Sequence, residues 1–62
     1  MNEHIRRQRA QALVVALVGA DNAPLWWSSA NLAFEGRTPT EQWVKDHILV
    51  YDYLMGHAEG KW

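Results

Sequence analysis

Apolar residues recur along the first third of the chain with the spacing of one helical face. Ala10, Leu13, Val14, Leu17 and Val18 stand at i, i+3, i+4, i+7 and i+8, the stripe of a helix that packs on one side. Asn2 or Glu3 starts this helix and Gly19 stops it, so the first helix is expected over about residues 3–19. Ala12, Val15 and Ala16 widen the apolar surface beyond one stripe. A helix this apolar is covered on more than one side, by the rest of the domain or by a second chain.

Asp21-Asn22-Ala23-Pro24 reads as a break and a restart, with Asn22 or Ala23 at the cap and Pro24 in the first turn. The short helix that follows runs from about Pro24 to Ser29. Leu25, Trp26 and Trp27 cannot all point one way, so one Trp is expected to stay partly exposed. Asn31 to Arg37 is an irregular connection, with Gly36 the position of positive φ. In Thr38-Pro39-Thr40-Glu41, Thr38 is an N-cap, Pro39 fills the first helical position, and Glu41 reaches back to the Thr38 amide. That is a capping box. The helix it opens carries Trp43 and Val44. Asp46 is either inside that helix or the cap of a last one from His47 to about Gly56, where Val50, Tyr51 and Leu54 share a face. Gly56 and Gly60 loosen the end, and residues 57–62 are expected as a flexible tail. No stretch alternates apolar and polar residues between turn signals, so strands are not expected. The fold class is all-α: one domain over residues 1–62, a small bundle of three to four short helices.

Size changes this picture. A chain of 62 residues hides only about 60% of its surface on folding, and small scaffolds add disulfides, a metal, a partner or dense packing. There is no Cys, which removes disulfides and Cys-based zinc sites. Four Trp, two Tyr and one Phe supply the packing instead, and some of this aromatic surface is expected to face a partner. Core filling is expected for two Trp, Trp43 foremost. Trp62 either folds back onto the domain or fills a pocket in a partner, since Trp is an enriched interface anchor.

Charge excludes more classes. The net charge is −1, unlike a sequence-independent nucleic-acid binder, which neutralises phosphates with many Lys and Arg. The distribution is uneven: Arg6, Arg7 and Arg9 against Glu3 leave residues 1–20 at +2. Arg37, Lys45 and Lys61 against Glu35, Glu41, Asp46, Asp52 and Glu59 leave residues 35–62 at −2. Arg6, Arg7 and Arg9 are read as a solvated first turn, and nucleic acid is not an expected partner. The longest apolar run, Ala12 to Val18, falls far short of the roughly 20 residues of a membrane span. Met1 to Ala20 imitates a secretory signal, but its removal would leave about 42 residues, too few to fold unaided. A cytoplasmic protein without a membrane segment is expected.

The three His show no metal-ligand spacing, with His47 and His57 ten residues apart. Ser28 and Ser29 lack the glycines of a nucleophile elbow, and no Gly-rich phosphate loop exists. No enzyme, cofactor or metal is expected, and His47 and His57 are read as solvated or helix-end residues. Arg37, directly before the capping box, is either a plain surface Arg or a cation presented on a fixed backbone.

The run Trp27-Ser28-Ser29-Ala30-Asn31-Leu32-Ala33-Phe34-Glu35-Gly36-Arg37-Thr38-Pro39-Thr40-Glu41 resembles the signature of the Xre/MbcA/ParS-like antitoxin toxin-binding domain family. That signature is a Trp, a short loop with Asn or Pro, an apolar residue, then Gly-Gly-Arg/Lys-Thr-Pro and an acidic residue two places on. Glu35 stands where the family shows the first Gly. Val50-Tyr51-Asp52-Tyr53-Leu54, with Gly56 behind it, is similar to the family's closing helix, and the signature region is 26–56. The resemblance implies a small helical module that binds an NAD-consuming enzyme with a RES domain and blocks its NAD site. The DNA-binding part that many members carry has no room before Ala10. On this reading Arg37, Trp26, Tyr51, His57, Lys61 and Trp62 contact the partner, a toxin-like enzyme or a host protein. Gly36, Thr38, Pro39 and Glu41 shape the turn and cap. The alternative from another class is a homo-oligomeric structural protein, or a phage-encoded regulator of a host protein, with a homodimer formed through residues 10–18.

Overall fold

Asn2 opens the first helix by accepting the Ile5 amide on its side-chain oxygen at 2.9 Å, which satisfies one of the donors that a helix start leaves free. Helix α1 spans Glu3–Val18 and ends at Gly19, whose φ of 94° suits glycine. In this computed structural model, which describes residues 2–60, α2 follows over Ala23–Ser28, a 3-10 turn over Leu32–Phe34 and α3 over Pro39–Ala58. Every regular element among the described residues is helical. Asn22 takes the cap position of α2, but its side chain donates back to the Val18 carbonyl and makes no cap hydrogen bond.

The elements share one core. Ala10 and Val14 of α1 meet Ala23 and Trp27 of α2, Phe34 of the 3-10 turn, and Trp43, Val50 and Leu54 of α3, all buried. Leu13 and Val18 pack at its edge. Leu17 is exposed, as are Ala12, Val15 and Ala16. The expectation for the aromatics holds: Trp27 and Trp43 are buried and Trp26 stays half-exposed. Their rings meet edge to face, Trp26 on Trp27 at 5.1 Å and Trp27 on Trp43 at 5.9 Å, the arrangement ring quadrupoles favour.

The capping box forms as read. Glu41 N–H donates to the Thr38 hydroxyl at 3.0 Å and the Thr38 amide donates to the Glu41 carboxylate at 2.8 Å. The Thr38 amide first, then the Thr38 hydroxyl, with the Arg37 charge adding to them, hold the Glu41 carboxyl below its ordinary value of 4.5. A carboxylate whose pKa is depressed by folding stabilises the fold above its unfolded pKa, and that stabilisation is lost as pH falls through the lower, folded value. Glu41→Gln keeps a hydrogen-bonding box but removes the charge. Its melting temperature is therefore expected to lie below wild type at neutral pH and to converge on wild type in acid. A gap of constant size across an acid titration of thermal melts would show that the charge contributes nothing.

Of two expectations about α3, one is met and one needs correcting. The helix is continuous in extent but broken at Asp46, where φ −160° and ψ 90° are extended, as in the reading of Asp46 as the cap of a last helix from His47. Asp favours such cap-like conformations, so Asp46 sits between two helical segments, one carrying Trp43 and one starting at His47. The helix also runs past Gly56 to Ala58. Glu59 N–H still donates to the Met55 carbonyl and Gly60 N–H to His57. An interior Gly costs only about 1 kcal/mol, and the turn at Glu59 and Gly60, where φ is 71°, stops the helix instead. The first residues of the expected tail, His57 and Ala58, thus form the last helical turn; Lys61 and Trp62 lie outside the described residues.

Candidate protein-binding surface

Asn31 organises the connection that precedes α3. Its amide donates to the Arg37 carbonyl at 3.0 Å, and its own carbonyl accepts from Phe34 and Gly36. Its side chain accepts from the Ala33 amide at 2.9 Å. The loop from 31 to 37 is therefore a closed clasp, and across it the Thr40 hydroxyl ties α3 to α2 by donating to the Trp27 carbonyl at 2.9 Å. Gly36 has the expected positive φ of 83°, and Glu35 beside it is left-handed as well, at φ 59°. A side chain is strained in that region and a Gly is not. The residue standing where the resembled family shows its first Gly is thus held in a glycine conformation. Glu35→Gly is expected to raise stability by about 1 kcal/mol, which is roughly 4–8 °C in melting temperature for a domain of this size. A melt in which the variant is less stable would mean that the Glu35–Arg37 contact outweighs the strain.

The clasp presents Arg37 with its guanidinium between two partners, 3.5 Å from the Glu35 carboxylate and 3.4 Å from the Gln42 side-chain oxygen. Gln42 is buried and Arg37 half-buried, so of the two readings the fixed cation describes it better. A groove runs from this point along the seam between the 3-10 turn and α3. Two adjoining hollows make it up, of about 210 and 350 Å³. Ala33, Phe34 and Leu49 line both. Arg37, Lys45 and Asp46 border the smaller, and Asp52 and Tyr53 the larger. Phe34 is the floor, held edge to face by Trp26 and Tyr53 at 6.4 and 5.2 Å. Leu49 on the wall is 47% exposed, and Leu32, at the head of the 3-10 turn, is 94% exposed.

The four described residues expected to contact a partner do not form one surface. Arg37 borders this groove. Trp26 and His57 come together in a separate cleft of about 280 Å³ with Leu17, Val18 and Tyr53. Tyr51 lies on the seam between α1 and α3, with Arg9, Ala12, Leu13 and Met55. The other two, Lys61 and Trp62, lie outside the described residues. Reading from the chain alone missed Phe34, Leu49 and Asn31. The signal that could have found them is the apolar residue directly before Glu35-Gly36 and the exposed Leu one helical turn before Tyr53.

The basic first turn has a structural task. Arg7 lies over the Trp27 ring with its guanidinium carbon 3.8 Å from the centroid, and 5.8 Å from that of Trp43, a cation–π stack. Burial lowers the pKa of its guanidinium. Arg6 lies 3.4 Å from His47 Nε2, and His47 Nδ1 is 3.9 Å from the Glu3 carboxylate. Glu3 also accepts from the Trp43 indole N–H at 3.2 Å. His47 does start a helical segment, but it is not solvated: it is half-buried between α1 and α3. Among the described residues no cluster of His, Cys, Asp and Glu is built to hold a metal ion, and no helix is long and apolar enough to cross a membrane. Comparison with family models, with curated proteins and with solved structures finds no match to this chain.

Proposed function

We propose that this chain is a protein-binding module, not an enzyme, which inhibits a partner by covering its working surface, in the manner of the antitoxin domains that its 27–41 run resembles. The single observation that carries the reading is the groove beside Arg37: an apolar trough with a large exposed Leu on its wall and a clamped cation at one end. Such a trough offers hydrophobic area for affinity and one charge for orientation, the composition of a small recognition surface. The resemblance supplies the kind of partner, an NAD-consuming enzyme of the RES type, with the groove and the Arg37 turn lying across its NAD entrance. A cytoplasmic setting belongs to the same reading. The test is capture by the tagged 62-residue chain from its native lysate, with mass spectrometry of what stays bound. One stoichiometric NAD-consuming enzyme, released by changes in the groove, supports the reading; a host regulator in its place would remove the antitoxin part.

A second reading, self-association, is favoured by a specific observation. Of the stretch 10–18, Ala10 and Val14 are used by the chain's own core, but Ala12, Val15, Ala16 and Leu17 remain exposed. The two readings are compatible, since a dimer can offer two inhibitory surfaces.

A further inference from the structure

The seam between α1 and α3 that holds Tyr51 lies away from the Arg37 groove. Ile5, Arg9, Ala12 and Ala16 follow one another on α1 at i, i+4, i+7 and i+11, a single stripe. All four are exposed. Arg9 and Ala12 meet Tyr51 and Met55 of α3 across a hollow of about 310 Å³. On α3, Ile48 and Asp52 share the side of Tyr51 and Met55 by the same helical spacing, and both are exposed. The face is apolar along its centre, with small residues on α1 that let another helix approach closely. It carries one cation on α1 and one anion on α3. Among the described residues neither Arg9 nor Asp52 has an ion-pair partner.

We infer that this face binds a second copy of the chain about a two-fold axis, each Arg9 meeting the Asp52 of its partner. The charge layout selects this occupant. The face offers one cation, Arg9, on α1 and one anion, Asp52, on α3, and a two-fold axis that sets α1 of one copy against α3 of the other pairs each with its opposite, so one face complements itself. A stable pair buries about 800 Å² per partner, about a fifth of the 4105 Å² that this chain exposes. A domain that hides only about 60% of its surface alone gains apolar burial it cannot supply internally. This inference rests on the self-association reading and not on the antitoxin one; Asp52 also borders the larger hollow of the Arg37 groove, so the two surfaces adjoin there.

Sedimentation of the full chain over a concentration series tests it. Wild type is expected to form dimers. Arg9→Asp and Asp52→Arg each place two like-charge contacts in the interface and are expected to weaken dimerisation by about 30-fold or more. An equimolar mixture of the two variants restores both crossed pairs, and heterodimers of near wild-type affinity are expected. The exposed site Ala12→Glu gives an independent block in the centre of the face should either reversal fail to fold by circular dichroism. A wild type that stays monomeric throughout would overturn the inference. So would dimers indifferent to Ala12→Glu and to both reversals, or folded single variants whose mixture remains monomeric.

Discussion

Phe34→Ala is expected to remove a large share of the chain's stability and to lower its urea midpoint sharply. Phe34 is 1% exposed and is clamped by two aromatic rings, and removing such a side chain costs about 3–5 kcal/mol. A domain of this length holds a total stability of about 3–9 kcal/mol, so one ring accounts for much of it. Urea unfolding followed by circular dichroism reads the effect. Leu32→Ala, two residues away and almost fully exposed, is the control, expected within about 0.5 kcal/mol of wild type. A Phe34→Ala chain that unfolds at nearly the wild-type urea midpoint would show that the core is organised elsewhere.

Leu49→Asp is expected to do the opposite: to keep the fold and remove the partner. Leu49 is half in water already, so a carboxylate there is tolerated by the helix but places a charge in the centre of the trough. Loss of a central apolar anchor costs about 2–4 kcal/mol in binding, roughly 30- to 1000-fold. Arg37→Ala is expected to weaken binding less, since its guanidinium is already partly neutralised by Glu35 and held by Gln42. Titration of each variant against the captured enzyme, with helicity measured in parallel, separates this from unfolding. Unchanged affinity in both variants would move the binding surface off the groove.

Local interactions made parts of this fold legible in the chain itself. Thr38 and Glu41 are three residues apart, so their reciprocal hydrogen bonds follow from order alone, and the all-α reading and the Gly19 stop rest on similarly short-range signals; that Trp43 is a core residue was legible, but which of Trp26 and Trp27 joins it was not. Long-range partners were not legible. Arg7 meets Trp27 only once α2 has folded across α1, and His47 meets Glu3 and Arg6 only once α1 lies beside α3. The left-handed conformation of Glu35 gave no local sign, because Gly36 alone accounts for a turn. Gly56 gave a misleading one, since its helix is held by Leu54 and Val50 in the core on the turns before it. The groove belongs to the same class: Phe34 and Leu49 are fifteen positions apart, and nothing in their spacing announces that they share a wall.

The most direct test of the central claim is the rate of NAD loss catalysed by the captured enzyme, measured with wild-type chain and with Leu49→Asp at matched concentrations. The account predicts that wild type stops the reaction at about one chain per enzyme and that Leu49→Asp leaves it running. Equal inhibition by both, or by neither, would contradict it.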